Sequence, residues 1–202
     1  MVFGESLYTL PGLRPKRDIR VNVHERDAVQ SLAAFLEDLL RELDPGRARP
    51  LVVLAIGSDR STGDSLGPLV GTRLAELAPG LLPVFGTLDE PVHAVNLSEK
   101  LAAIERTFSR PLIIAVDACL GQLQNVGTIA LGKGSLRPGT GVNKELPPVG
   151  EIFISGVVNI GGFLEYLVLQ NTRLSLVMKM ADCITRALII GGVAGARGGI
   201  RK

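Results

Sequence analysis

The sequence contains no tryptophan, and aromatic residues make up only 4% of its 202 residues. Aromatic side chains form the stacking platforms that bind single-stranded nucleic acid, so the composition argues against that kind of site. Blocks of positive charge are also missing. The 22 Lys and Arg residues offset 20 Asp and Glu residues and leave a net charge of +2. The sequence therefore predicts no nucleic-acid partner.

Cysteine is scarce, with Cys119 and Cys183 far apart and each in apolar surroundings. A zinc site would need more ligands than the chain places near either residue. We therefore expect two buried free thiols, as is usual in a reducing cytoplasm.

The sequence also lacks a secretory signal and a membrane-spanning run. Its first residues, MVFGESLYTLPGLRPKRD, do not place a basic region before a long apolar one. The apolar stretch near 176–196 is interrupted by Lys179, Asp182 and Arg186, which makes it unsuited to a bilayer. We expect a cytoplasmic protein with no membrane partner.

What the chain does contain is enough apolar material for one globular domain, since 46% of its residues are hydrophobic. Residues 1–22 carry Pro and Gly without periodicity, and we predict a loosely ordered N-terminal arm there. Residues 23–202 are predicted to form a single α/β domain. No internal repeat and no second domain are evident.

Amphipathic helices and apolar strands alternate along this domain. Helical spacing predicts helices over 25–43, 68–78 and 92–108, with one or two more between 163 and 187. Apolar runs predict strands at 51–57, 83–87, 111–116, 127–132 and 151–158, and a Gly/Pro-rich loop covers 132–150. The alternation is typical of an α/β sandwich with a mainly parallel sheet.

Three polar stretches follow apolar strands: GSDRSTGDSLGP at 57–68, TLDEPVH at 87–93 and DACLG at 117–121. Ligands of open parallel sheets bind beyond the carboxyl ends of the strands. If the sheet is parallel, all three stretches open at one edge, where Asp64, Asp117 and His93 would converge. Asp59, Asp89 and Glu90 are further candidates at that edge.

Each of the three main candidates also has a purely structural interpretation. Asp64 is a suitable N-cap for the helix that begins near Pro68. Asp117 follows five apolar residues and could form a turn, and His93 at a helix start could simply be solvated. Their joint arrangement favours a site more than any one of them does.

Several familiar motifs are absent from these stretches. The glycines of 57–67 are not followed by the Gly-Lys-Ser/Thr of a phosphate-binding loop, and they lack the GxGxxG spacing of dinucleotide-binding proteins. No GxSxG motif occurs, which leaves a serine hydrolase of that type unsupported. Nucleotide binding and serine chemistry are therefore not indicated.

The acidic residues leave two routes to hydrolysis open. Two carboxylates held close together cannot both ionise easily, so one retains a proton and the pair can activate water and protonate a leaving amide nitrogen. Alternatively, Asp64 and Asp117 with His93 could hold a divalent metal that acidifies bound water. A metal is not required by the first route.

The motifs GSDRSTGDSLGP, LDEPVHAVNL and VDACLG resemble the YyaC family of sporulation proteins from spore-forming Firmicutes. The resemblance extends from about residue 25 to about residue 190 and includes SGVVNIGGFLEYLVLQNTRL. That family is similar to the germination protease, which degrades small acid-soluble spore proteins, and to hydrogenase maturation endopeptidases. The resemblance implies a three-layer α/β/α sandwich of the phosphorylase/hydrolase-like kind.

The resemblance also implies roles for two residues. Asp64, in Asp-Ser-Leu-Gly-Pro, and Asp117, in Val-Asp-Ala-Cys, match functional aspartates of the germination protease. In the hydrogenase proteases, the matching acidic residues bind nickel with a histidine that falls later in the chain than the second aspartate. His93 precedes Asp117, so its candidacy as a catalytic residue rests on the polar stretches alone. The germination protease is longer and carries a propeptide, for which residues 1–22 are short.

Together these observations predict a sporulation-associated peptidase with Asp64, Asp117 and His93 as catalytic residues. The expected substrate-binding residues are Gly57, Asp59, Ser61, Gly63 and Asp89, because glycine lets a peptide approach the backbone closely. The substrate would be a spore protein, such as a small acid-soluble spore protein, in the cytoplasm of the mother cell or forespore. Open alternatives are a non-catalytic sporulation factor that binds a peptide or ligand in the same pocket and a metal-dependent processing peptidase. The apolar C-terminal half could also support a homo-oligomer.

Overall fold

A computed structural model describes residues 18–138 and 146–196. Its strands are β1 (Asp18–Asn22), β2 (Leu51–Ala55), β3 (Val84–Phe85), β4 (Leu112–Gly121), β5 (Thr128–Lys133) and β6 (Ile152–Ile160). Its α-helices are α1 (Ala28–Leu43), α2 (Leu66–Leu77), α3 (Leu97–Thr107), α4 (Glu165–Gln170) and α5 (Leu174–Ala196). Short 3₁₀ helices occupy Gly63–Ser65 and Leu123–Asn125.

The strands form one sheet in the order β1-β5-β6-β4-β2-β3. The four strands β6, β4, β2 and β3 run parallel to one another, and β5 runs antiparallel to both β6 and β1. The prediction of a mainly parallel sheet is confirmed. Because β2 and β4 are parallel neighbours, their carboxyl ends meet at one edge, as the arrangement of the polar stretches requires.

Helices cover both faces of the sheet. On one face, α1, α2 and α5 share a core in which Leu36, Val70 and Ile184 are fully buried. On the other face, α3 places Leu97 and Ile104 against the β2 side chain Leu54. These two apolar layers explain the sandwich, because each face of the sheet is hydrophobic and must be buried. The α/β sandwich predicted from the sequence is therefore confirmed.

Strand β1 is an element that the sequence interpretation missed. Asp18–Asn22 pairs with β5 from Asp18↔Gly132 to Asn22↔Thr128, so the prediction of loose order is wrong for these five residues. Ile19 and Val21 face the core while Arg20 is exposed, which is the alternation expected of a half-buried strand. Residues 1–17 of the predicted arm lie outside the described residues.

Strand β4 is longer than predicted, and this difference decides where Asp117 lies. The apolar run ends at Val116, but β4 continues to Gly121 because β6 pairs with it as far as Gly121↔Ile160. On its other side β2 ends at Ala55, and the last contact there is the hydrogen bond from Ile56 N to Val116 O at 2.7 Å. Asp117 therefore lies inside a strand, with a strand beside it on one side only.

The helices agree with the sequence patterns except at their ends. The predicted helix over 92–108 begins only at Leu97, and the predicted C-terminal helices are α4 and α5, the second of which reaches Ala196. The predicted loop over 132–150 is described only in part, and within it Leu136 bridges Val149. Within 18–138 and 146–196, no helix is both long and apolar enough to cross a membrane.

Candidate functional site

The candidate site lies where the chain leaves β2. Ile56 forms a parallel bridge with Val92, and the Gly57 N–H donates to the Val92 carbonyl at 2.8 Å. These contacts bring His93, the next residue, beside the polar loop that follows β2. The 3₁₀ helix Gly63–Ser65 then carries Asp64 back over the end of the strand.

Two glycines allow this close return of the chain. Gly57 has φ of 143°, and a Cβ at this position would lie 2.0 Å from the Asp64 carbonyl oxygen. A Cβ on Gly67 would lie 2.1 Å from the Ile56 carbonyl oxygen. Any side chain at either position would push Asp64 away from the strand end. Contact of Gly57 with a substrate stays a prediction, and its packing role is what the structure shows.

Asp64 does not serve as the N-cap of the following helix. The N-cap of α2 is Ser65, and neither α2 nor the preceding 3₁₀ helix has a side-chain cap hydrogen bond. Burial raises the pKa of the Asp64 carboxyl, while a hydrogen bond from the Ser58 backbone and the nearby His93 both act to lower it. The structural alternative for Asp64 is therefore not supported, and its carboxyl is partly withdrawn from solvent.

Asp117 is the more strongly perturbed of the two carboxyls. Burial raises the pKa of Asp117 well above its usual range, and the negative charge of Asp64 raises it further. The Ala118 N–H donates to the Asp117 carboxylate at 2.8 Å and acts in the opposite direction. The structure thus brings Asp64 and Asp117 close enough to interact, and their surroundings favour protonation more strongly at Asp117 than at Asp64.

His93 is oriented by its own backbone turn. Its Nδ1 accepts a hydrogen bond from the Val95 N–H at 3.3 Å, and its own N–H donates to the Asn96 Oδ1 at 2.8 Å. His93 lies close enough to Asp64 to act electrostatically against the burial that raises the pKa of that carboxyl.

The remaining predicted residues divide into two groups. Asp59 and Asp89 are exposed, and neither is among the groups that shift the pKa values of the pair. Ser61 is half-buried, and its Oγ is a buried atom without a hydrogen-bond partner among the described residues. Gly63 packs beneath α4, where a Cβ would lie 2.7 Å from Leu169 Cδ2. A role for these four residues in substrate binding stays a prediction.

The residues that the structure describes do not provide a full set of metal ligands around Asp64 and Asp117. Within residues 18–138 and 146–196, no three His, Cys, Asp or Glu side chains are grouped so that they could hold a metal ion. Metal binding by Asp64 and Asp117 stays a prediction.

Sequence reasoning missed two polar neighbours of Asp117. Cys119 lies two residues further along β4 and therefore on the same face, and Ser155 is the register partner of Asp117 on β6. A side-chain hydrogen bond joins Cys119 and Ser155, while burial raises the pKa of the Cys119 thiol. The Asp-Ala-Cys spacing places Asp117 and Cys119 on the same face of a strand. The sequence could not show this, because the apolar run that predicts the strand ends at Val116. Cys183 is buried, Cys119 is half-buried, and both are free thiols.

Comparison with known proteins places the chain in a family. Residues 20–187 match a family described as "Protein of unknown function (DUF1256)", and this range includes Asp64, His93 and Asp117. The chain is also 49% identical over 161 residues to the uncharacterized protein YyaC of Bacillus subtilis (strain 168), which covers 80% of this chain and 77% of that protein. The chain therefore belongs to the DUF1256 family.

Proposed function

We propose that this protein is a peptidase that cleaves a protein substrate through the Asp64 and Asp117 pair. The observation that carries the proposal is the half-buried position of Asp117 beside Asp64, where burial of its carboxyl and the charge of Asp64 raise the pKa of Asp117 well above its usual range. A carboxyl that keeps its proton next to one that is ionised supplies an acid and a base at the same place. Structural carboxylates are more often paired with cations than with each other.

The proposed reaction follows from the unequal surroundings of the two residues. Burial raises the pKa of Asp64 less than that of Asp117, because the Ser58 backbone and His93 act to lower it, so Asp64 is the general base that takes a proton from water. The water oxygen attacks the peptide carbonyl carbon, and Asp117 donates its proton to the amide nitrogen as the C–N bond breaks. The products are a carboxylic acid and an amine. His93 is a positioning residue that keeps Asp64 ionised.

The proposed biological setting rests on the sequence resemblance. The chain is similar to YyaC of a spore-forming bacterium, and its Asp-Ser-Leu-Gly-Pro and Val-Asp-Ala-Cys motifs resemble those of the germination protease. On this ground we propose a substrate among the small acid-soluble spore proteins and a cytoplasmic location in the mother cell or forespore. A peptide-binding sporulation factor without catalytic activity is the alternative that the test must separate.

The test is incubation of the purified protein with a small acid-soluble spore protein, followed by mass spectrometry of the products. The Asp64→Asn/Asp117→Asn double variant should yield no fragments. Glu105→Gln is the matched control, since Glu105 is an exposed carboxylate near the end of α3, and it should cleave as the wild type does. Addition of EDTA should leave cleavage unchanged, and loss of cleavage with EDTA would replace the acid–base route with a metal route.

Absence of fragments with the wild type, while the double variant still binds the protein with the same affinity, would contradict the peptidase proposal. That result would favour the binding factor. Fragments that appear equally with the double variant would show that a contaminating peptidase is responsible.

A further inference from the structure

The surface next to the aspartate pair is unusually apolar. Phe163, Tyr166 and Leu164 are 79%, 66% and 56% exposed, and Ile160 and Leu167 beside them are also exposed. We call these five residues the α4 surface. Exposed apolar residues are normally scattered singly, so a contiguous group of this kind marks a binding surface.

Four residues of the α4 surface, all except Tyr166, line a shallow, open groove of about 520 Å³ between the end of β6 and α4. The two asparagines in its wall use their amides internally. Asn159 Nδ2 donates to the Val168 carbonyl at 3.2 Å, and Asn171 Nδ2 donates to the Leu167 carbonyl at 2.8 Å. The groove therefore offers mainly apolar side chains, and its complementary ligand is apolar.

The backbone that presents these side chains is strained. Leu164 has φ of 47°, in the left-handed region that costs a non-glycine residue roughly 1–2 kcal/mol. Strain of this kind persists where the surrounding structure determines the conformation, and it is frequent at binding sites. Here it accompanies the outward position of Phe163 and Leu164 at the start of α4.

Two contacts connect the elements that carry the α4 surface with those that carry the candidate site. The turn that carries Asp64 packs directly on α4, because a Cβ on Gly63 would lie 3.1 Å from the Leu169 carbonyl oxygen. On the other side, the Gly161 N–H donates at 2.8 Å to the carbonyl of Gly121, the last residue of the strand that carries Asp117.

The spacing along β4 relates the groove to the reacting bond. Gly121 lies four residues beyond Asp117, and strand residues rise by about 3.3 Å, so the groove begins roughly 13 Å from Asp117. An extended peptide rises by the same amount per residue. A side chain in the groove would therefore belong to a residue about three to four positions from the bond at the aspartate pair.

We propose that the α4 surface is a subsite that selects an extended peptide with a large apolar side chain, such as Leu, Ile or Phe, three to four residues from the cleaved bond. This inference rests on the proposed peptidase function. The occupant is a peptide because the groove adjoins the aspartate pair, so one extended chain reaches both.

The experiment measures binding separately from cleavage. Fluorescent decapeptides of Ser, Gly and Ala, each with a single Leu at a different position, are titrated with the Asp64→Asn/Asp117→Asn variant, and anisotropy gives Kd. The wild type then shows by mass spectrometry where each peptide is cut. The expected result is about tenfold tighter binding of Leu peptides than of the Leu-free peptide, with cuts three to four residues from the Leu.

Two surface variants in the same background identify the subsite. Phe163→Ser/Leu167→Ser should abolish the preference for Leu, whereas Leu77→Ser should retain it, because Leu77 is 61% exposed on α2. All of the substituted side chains are exposed, so the fold should persist, and thermal unfolding checks this.

The outcomes separate this inference from the proposed function. Equal Kd values for Leu and Leu-free peptides would overturn the subsite. The Phe163→Ser/Leu167→Ser variant could instead keep the Leu preference and show a lower mass than the wild type in light scattering. That result would also overturn the subsite, and it would assign the α4 surface to contact with a second copy of the chain. Selective binding that this variant loses, with no cleavage by the wild type, would uphold the apolar peptide site and remove the peptidase function.

Discussion

The two edges of the sheet hold charges in opposite ways. At the amino edge, Arg49 connects the segments that enter three parallel strands. Its Nε donates to the Arg110 carbonyl at 3.0 Å, its Nη2 donates to the Pro111 carbonyl at 2.8 Å, and its Nη1 donates to Glu151 at 3.0 Å. The Glu151 carboxylate is also the main reason that the pKa of Arg49 is raised.

At the carboxyl edge, by contrast, burial and the charge of Asp64 both raise the pKa of Asp117. Ionisation of Asp117 beside Asp64 opposes folding, whereas the Arg49 contacts support it. The contacts at the amino edge therefore stabilise the fold, whereas the two neighbouring carboxyls at the carboxyl edge destabilise it. Such arrangements persist at functional sites, where stability is given up for chemistry.

The largest expected effect is the loss of activity in the Asp117→Asn variant, which changes the carboxyl edge. Asparagine cannot donate the proton that the amide nitrogen needs, so kcat/KM should fall by about 10²–10⁴. The melting temperature should not fall, because the substitution removes a charge that burial disfavours. Kinetic assays and calorimetry on the same preparation check both expectations. A parallel loss of activity and of melting temperature would instead make Asp117 a structural residue.

The second prediction concerns the pH dependence of stability at the same residue. Because the folded-state pKa of Asp117 is raised, its contribution is fully favourable below the usual pKa of about 3.9 and is lost as the pH rises through the folded-state value. Asp117→Asn should therefore gain stability over the wild type as the pH rises from 4 to 8. Each kcal/mol recovered should raise the melting temperature by about 2–4 °C. A difference that stays constant from pH 4 to pH 8 would contradict the burial of an ionisable Asp117.

The stabilising edge is tested by Arg49→Met, which removes the guanidinium and keeps an apolar stem. The loss should be about 1–2 kcal/mol of unfolding free energy, since two backbone carbonyls lose a charged donor while the partly exposed Glu151 contributes little. Denaturant unfolding measures this loss. Arg20→Met is the control, because the exposed Arg20 and Asp18 pair at 3.4 Å should matter much less. A fall in kcat/KM for Arg49→Met without a loss of stability would contradict the division between the edges.

The smallest effect is expected from His93→Gln, which changes the electrostatic surroundings of Asp64 at the carboxyl edge. His93 lowers the pKa of Asp64, so its removal should raise that pKa. The acid limb of the kcat/KM profile should then move to higher pH, while the melting temperature changes little. A pH–rate profile of the variant beside the wild type makes the comparison. A uniform loss of rate without a shift of the acid limb would assign His93 a role other than keeping Asp64 ionised.

Much of the fold could be predicted because its signals are local. The helical spacing of apolar residues in α1 and the continuous apolar run of β2 each decide one element without help from the rest of the chain. The five residues of β1 hold too short an alternation to be recognised alone, and the second half of β4 is a strand because β6 pairs with it. Pairing between distant segments has no local signal, which is why both were missed.

The candidate site shows the same division. The sequence alone predicted that Asp64, His93 and Asp117 lie at one edge of a parallel sheet, and it placed glycines on both sides of Asp64, where the chain turns back. Only the tertiary structure decided that the pKa of Asp117 is raised more than that of Asp64, that Asp59 and Asp89 are exposed, and that an apolar groove lies beside α4. The reason is that a pKa depends on burial and on the charges nearby, and both arise when segments far apart in the chain pack together.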